Sequence, residues 1–230
     1  MRAAGWSIRQ GERSVFMLIL VTGGAASGKS AHAERLLCAS AAGARLYLAT
    51  MQPFGAAAET RIARHRALRR DKGFETVERP LGLAGLELPR RYDGILLEDL
   101  GNLLANELFD PAGAGEAAFG STLAGIARLQ DCCETLVVVS NEVFSDGLAY
   151  PPETAAYIRT LGRLHAALAA RADAVYESVC GILLPLKGEK EMCIRDRAWA
   201  VTCWTRTGWN TLTMSAPGGR WCSATAIRIF

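Results

Sequence analysis

Several features that would sort this chain at once are missing. It has no apolar run near the roughly 20 residues that a membrane-spanning helix needs. Its first sixteen residues lack the continuous apolar segment of a signal peptide. The charge is nearly balanced, 26 Lys and Arg against 23 Asp and Glu for a net +3, too little and too dispersed for nucleic acid as the main partner. There are seven cysteines, Cys38, Cys132, Cys133, Cys180, Cys193, Cys203 and Cys222, without a Cys-x-x-Cys pair or an accompanying histidine cluster. A zinc site is therefore not expected, and the odd count favours free thiols over a disulfide framework. No internal repeat or linker interrupts residues 17–188. These absences leave a cytoplasmic protein as the expectation.

What is present is chemically specific. With 230 residues, 50% of them hydrophobic, the chain can bury one good core. The apolar run Leu18–Val21 reads as a buried strand, and Ala31–Leu37 reads as a helix. Between them stands Thr22-Gly-Gly-Ala-Ala-Ser-Gly-Lys-Ser30. Gly23 and Gly28 bracket four residues, Gly24, Ala25, Ala26 and Ser27, and Lys29 and Ser30 follow. A glycine loop entering a helix turns successive backbone N–H groups, and the positive end of the helix dipole, toward an anion. Lys29 is placed to reach the β/γ-phosphates and the Ser30 hydroxyl to hold Mg²⁺. The loop is expected to bind a nucleoside triphosphate.

The rest of the middle alternates strand and helix patterns. Strands are expected at Arg45–Thr50, Phe74–Glu78, Gly94–Asp99, Thr135–Ser140, Ala174–Cys180 and Ile182–Lys187, with the last two closing around Gly181. Helices are expected near 56–72, 101–109, 116–131 and 153–172, the last with Tyr157, Leu161, Leu164 and Leu168 on one stripe. That alternation implies a single α/β domain of the P-loop NTPase, RecA-like type: a mainly parallel sheet flanked by helices, with its site at the strands' C-terminal ends.

Phosphoryl transfer needs an acid near the loop to hold a metal. Glu98 and Asp99 end an apolar strand where such an acid belongs, and adjacent strand residues point to opposite faces, so one of the two should face the loop. Spacing alone does not choose between them. Six of the ten residues in Arg61-Ile-Ala-Arg-His-Arg-Ala-Leu-Arg-Arg70 are Arg or His. A neutral imidazole among guanidinium groups is a competent nucleophile toward phosphorus. Charge pattern alone favours the other reading, a solvated basic helix face with His65 inert. His32 and His165 lack those arginine surroundings and are expected to pack or to face solvent.

Taken in order, Ile19-Leu-Val-Thr-Gly-Gly-Ala-x-Ser-Gly-Lys-Ser30, Tyr47-Leu-Ala-Thr50, Arg61-Ile-x-x-His-Arg66, Thr76-Val-Glu78, Leu96-Leu-Glu98 with Asn106, Val139-Ser-Asn-Glu-Val143, Leu168-Ala-Ala-Arg-Ala-Asp173 and Cys180-Gly-Ile182 with Lys187 resemble one family across residues 17–188. It is the bifunctional adenosylcobinamide kinase/adenosylcobinamide-phosphate guanylyltransferase family of cobalamin biosynthesis. The resemblance implies phosphorylation of adenosylcobinamide with ATP or GTP, then transfer of GMP from GTP through a guanylylated histidine, here His65. It also implies nucleotide contacts at Gly23 to Ser30, at Ala49, Thr50 and Met51, at Arg66, Ala67, Leu68 and Arg69, and at Glu78 and Glu98. Glu98 is thereby favoured over Asp99 as partner of Ser30 for Mg²⁺, and a homotrimer is implied. A carboxylate at one of the two glutamates could read guanine N1–H and N2–H₂. Departures are Ala26, where many relatives carry arginine, and Asp99, a place often held by cysteine. A single-function P-loop kinase and a non-catalytic GTP-binding regulator are the competing readings.

The ends differ from the middle. All five tryptophans lie outside residues 17–188. The run Glu191-Met-Cys-Ile-Arg-Asp-Arg197 resembles a translated sequencing-adapter fragment. Residues 189–230 are therefore expected to be an artefactual or disordered tail, and residues 1–16 an extension upstream of Met17.

Overall fold

Every position of Leu18–Val21 and Leu136–Val139 is apolar and almost wholly inaccessible, so both faces of these strands have to be covered. The computed structural model describes residues 16–52 and 72–188, all within the first of two compact units, Met1–Ile194 and Arg195–Phe230. Seven strands form one sheet: β1 (Met17–Gly23), β2 (Arg45–Ala49), β3 (Phe74–Glu78), β4 (Tyr92–Glu98), β5 (Cys133–Asn141), β6 (Ala174–Val179) and β7 (Ile182–Lys187). Their order is β3-β2-β4-β5-β1-β6-β7. All neighbours are parallel except β7, which returns antiparallel along β6. Four helices cover it among the described residues: α1 (Lys29–Ser40), α2 (Leu100–Phe109), α3 (Ala118–Asp131) and α4 (Pro152–Arg171). The mainly parallel α/β sheet expected from the sequence is what forms.

The period-2 alternation of the strands divides the core cleanly. Ile19, Val21, Tyr47, Leu96, Val137 and Val139 pack with Ala33, Leu36 and Leu37 of α1 on one face. Leu18, Leu20, Leu48, Ile95, Leu97 and Val138 pack with Leu103 and Leu104 of α2, Ile126 of α3 and Leu161, Leu164 and Leu168 of α4 on the other. Each such leucine contributes roughly 1.5–3 kcal/mol on burial. The expected stripe on α4 is thus its core face, with Tyr157 partly buried beside it.

Chain direction explains where the site falls. From β1 the chain crosses through α1 toward β2, whereas from β5 it crosses through α4 toward β6 on the opposite face. Right-handed crossovers in opposite directions require opposite faces. The switch point lies at the C-terminal end of β1, where such sheets open a crevice. That end is the glycine loop. Several boundaries shift by one to a few residues; at the site, α1 begins at Lys29 rather than Ala31, because the left-handed backbone of Gly28 (φ +92°) turns the chain directly into the helix. The basic stretch around His65 lies outside the described residues, as do residues 1–15 and 189–230.

Candidate active site

The loop is assembled around its first glycine. A Cβ on Gly23 would stand 2.5 Å from Ser27 Oγ and 2.6 Å from the Ser178 carbonyl oxygen, so the loop closes tightly only over a residue without a side chain. Gly28 occupies the N-cap of α1 and supplies no side-chain cap, and the first turn holds no acidic residue. The N–H groups that open a helix lack intrahelical partners; here they are left to an incoming anion. Lys29 Nζ donates to the Gly24 carbonyl at 3.1 Å, folding the ammonium back over the loop. Ala25 and Ala26 are exposed at its crown, Ala26 with a left-handed backbone (φ +56°).

The two acids at the end of β4 take different work. Ser30 Oγ donates a short hydrogen bond to Glu98 Oε1, although β5 separates the loop strand from β4. Asp99 caps α2, accepting from Asn102 N–H at 2.6 Å, and its other oxygen accepts from Asn102 Nδ2 and Asn141 Nδ2, each at 3.1 Å. Alternation along the strand is the reason: Glu98 shares the α1 face with Leu96, while Asp99 starts α2. Burial pushes both carboxyls above the usual carboxylate range; hydrogen bonds from Ser30 and Tyr47 oppose this at Glu98. At Asp99 the Asn102 and Asn141 bonds and the nearby Lys29 charge oppose it.

Mg²⁺ suits the donors at Ser30 and Glu98, which are all oxygen. The hydroxyl and one carboxylate oxygen already touch, and the buried Glu98 Oε2 has no hydrogen-bond partner. Among the described residues no group of three His, Cys, Asp or Glu side chains could hold a metal. Two protein oxygens are the incomplete set that Mg²⁺ completes with phosphate oxygens and water.

Beyond the loop, β2 ends at Ala49, which pairs in register with Glu78 on one side and Glu98 on the other. Residues level in a parallel sheet share a face, so both glutamates flank the small Ala49 on the α1 side. Glu78 is exposed there. Thr50 is fully buried; its hydroxyl donates to the Asp99 carbonyl at 2.7 Å and accepts from the Asp99 N–H at 2.8 Å. Thr50 thus locks β2 to the start of α2, leaving Ala49 and Met51 half-buried on either side. Asn106, one turn further along α2, donates to the Thr50 and Pro80 carbonyls. Among the described residues, then, Gly23–Ser30, Ala49–Met51, Glu78 and Glu98 all lie at the C-terminal ends of the parallel strands, with Ser30 touching Glu98 and Glu78 four strands from the loop strand. His65, Arg66, Ala67, Leu68 and Arg69 lie outside the described residues.

Sequence reasoning passed over Asp99 as a cap, Asn141 as its partner, and His32. Of its two expected alternatives, packing or facing solvent, the last takes the first: it is buried and bonded. Asp99 had a readable signal, an acid directly before an apolar helical run; the other two had none. A cavity of about 350 Å³ borders the outer side of the loop between Glu142 and Glu177.

A glycine loop at the switch point of a parallel sheet, a lysine over it, and a serine paired to an acid two strands away define a P-loop nucleotide-binding protein. Residues 19–186 match the profile of the family described as cobinamide kinase / cobinamide phosphate guanyltransferase. The bifunctional adenosylcobalamin biosynthesis protein CobU of Escherichia coli (strain K12) is 37% identical over 187 residues, 74% of this chain and 100% of that protein. The corresponding protein CobP of Pseudomonas aeruginosa is 36% identical over 174 residues, 74% of this chain and 97% of its own. The flagellar accessory protein FlaH of Methanocaldococcus jannaschii overlaps more loosely, with a TM-score of 0.43 and 15% identity over 75% of this chain and 78% of that one. The chain belongs to the cobinamide kinase / cobinamide phosphate guanyltransferase family.

Proposed function

We propose that this chain is a bifunctional transferase that phosphorylates adenosylcobinamide and then guanylylates the product. In the first reaction the aminopropanol hydroxyl oxygen of adenosylcobinamide bonds to the γ-phosphorus of ATP or GTP. The bond from γ-phosphorus to the β-bridging oxygen breaks, the nucleoside diphosphate leaves and the hydroxyl proton is released. In the second, an imidazole nitrogen of His65 bonds to the α-phosphorus of GTP and pyrophosphate departs. A phosphate oxygen of adenosylcobinamide phosphate then displaces His65, giving adenosylcobinamide-GDP and the free imidazole.

The loop N–H groups and Lys29 neutralise charge that builds on the phosphate oxygens, which is where most of the acceleration in such reactions originates. Ser30 and Glu98 would hold Mg²⁺. That ion, when bound, would supply further neutralisation of the charge developing on the phosphate oxygens. Arg66 to Arg69 and the Ala49–Met51 turn complete the nucleotide's surroundings in this reading, and Glu78, exposed at the edge of β3, is the carboxylate better placed to read guanine. The reading extends to a cytoplasmic homotrimer in which residues 17–188 form the working domain. No described helix is long and apolar enough to cross a membrane.

The observation that carries this reading is the Ser30–Glu98 contact beneath the glycine loop, in a chain of this family. Product analysis tests it. Adenosylcobinamide with ATP and GTP should yield adenosylcobinamide-GDP and pyrophosphate, and Lys29→Ala should sharply slow formation of the phosphate intermediate. Phosphorylated corrinoid without any guanylylated product would reduce the protein to a kinase. Bound GTP with neither product would leave a regulator.

A further inference from the structure

The back of the glycine loop is held by a hairpin that the family reading does not use. β6 and β7 join through Cys180 and Gly181, whose φ angles are +51° and +80°. Positive φ at both central residues of a two-residue hairpin marks a type I′ turn. This turn points its peptide groups at the loop. Gly181 N–H donates to the Ser27 carbonyl at 2.9 Å. Ser178 Oγ, buried at the end of β6, donates to the same carbonyl at 2.8 Å. In a trans peptide the C=O and the next N–H point in opposite directions. Two donors that hold the Ser27 carbonyl outward therefore hold the Gly28 N–H inward, on the side where the phosphates lie.

The hairpin turn is in turn anchored by His32. Its Nε2 stands 3.0 Å from the Gly181 carbonyl oxygen, and its Nδ1 meets the Arg35 guanidinium. A carbonyl can only accept and a guanidinium can only donate. His32 must then carry its proton on Nε2 and leave Nδ1 bare, so it sits as the neutral imidazole in one tautomer. Burial, with the adjacent Arg35 charge, holds it below the usual histidine range despite the Gly181 bond. Packing closes the unit: a Cβ added to Gly28 would lie 3.5 Å from Gly181 Cα and 3.6 Å from His32 Cδ2.

We propose that His32 is a positioning residue for nucleotide binding, acting through Gly181 and Ser27 to fix the Gly28 N–H in its phosphate-facing direction. This rests on the reading of the loop as a phosphate site. Glutamine can replace the imidazole's two functions, its amide N–H₂ donating to Gly181 and its amide oxygen accepting from Arg35. Leucine fills similar space with neither.

Calorimetric titration of the full chain with GTP, and with inorganic tripolyphosphate, tests the assignment. His32→Leu should weaken both ligands by about tenfold or more, the scale of one lost hydrogen bond and its stranded partner. His32→Gln should stay within about threefold of wild type on the same scale. Ser178→Ala, which deletes one oxygen, should fall between them and decides the matter if the leucine variant does not fold. Equal binding by wild type and Lys29→Ala would overturn the phosphate site itself, and the brace with it. Lys29-dependent binding that a folded His32→Leu or Ser178→Ala leaves within twofold of wild type would overturn the brace alone. So would a glutamine variant as weak as the leucine one.

Discussion

On the β4 side of the glycine loop the contacts run chiefly between polar side chains: Ser30 to Glu98, and Asp99 to Asn102 and Asn141. On the β6 side they run chiefly through main chain, from Gly181 N–H to the Ser27 carbonyl and from His32 to the Gly181 carbonyl. The two flanks differ in what a ligand can change. Lys29 on Gly24, and Ser30 on Glu98, are provisional partnerships that a triphosphate and its metal can replace. The Ser27 carbonyl, held by two donors, is engaged by the protein itself. In the proposed reading one flank holds the groups that act, and the other holds the loop in shape.

Substitutions on the acting flank should separate catalysis from folding. Lys29→Ala removes the charge over the loop and should lower cobinamide phosphorylation by roughly 10²–10³-fold in kcat/KM, as loss of a transition-state donor does elsewhere. Its melting temperature should hardly move. Glu98→Gln keeps the shape but halves the carboxylate's capacity to hold a cation, so activity should fall by about tenfold to a hundredfold and the apparent Mg²⁺ requirement should rise. A Glu98→Gln enzyme with an unchanged Mg²⁺ titration would take this residue out of the metal's surroundings.

Asp99, one residue on, should answer differently. Asp99→Ala strips the cap from α2 and strands the Asn141 amide, costing about 1–2 kcal/mol and lowering the melting temperature by several degrees. Equal losses of stability at Glu98 and Asp99 would erase the division of labour between them.

A smaller effect follows from His165 on α4, whose Nε2 lies 2.6 Å from Ser140 Oγ beneath the end of β5. Burial pushes its pKa down to about 4 from 6.5. The unfolded chain takes up this proton first, so stability is full above the unfolded value and is lost as the pH falls from about 6.5 toward 4. After allowance for partial exposure this amounts to about 1 kcal/mol between pH 7 and 5. Glu98 and Asp99 titrate with the opposite sign, because their raised values favour the native state when protonated. The difference between wild type and His165→Gln in urea unfolding at several pH values therefore isolates the histidine. Parallel curves would show that it stays exposed to protons.

How far these flanks were legible in the sequence follows from their chemistry. Thr22-Gly-Gly-Ala-Ala-Ser-Gly-Lys-Ser30 announces itself because Gly23, Gly28, Lys29 and Ser30 are the types a phosphate site demands at that spacing, and continuous apolar strands announce a covered sheet. Spacing read Glu98 and Asp99 as a pair without telling them apart, since the choice depends on which face of β4 meets α1; the family resemblance alone favoured Glu98. The β6 brace left little trace: main-chain groups carry no letter in a sequence, and a left-handed Cys180 looks like any other cysteine. His32 was expected either to pack or to face solvent, and the sequence could not choose between them because its partner, Gly181, lies 149 residues away.

The most direct test of the whole reading uses GTP labelled in turn at its α- and γ-phosphates. The wild-type chain should retain α-label covalently, in an acid-labile and base-stable linkage at His65, and transfer it to adenosylcobinamide phosphate; γ-label should leave with pyrophosphate. Absence of covalent α-label, or α-label that survives His65→Ala, would contradict it.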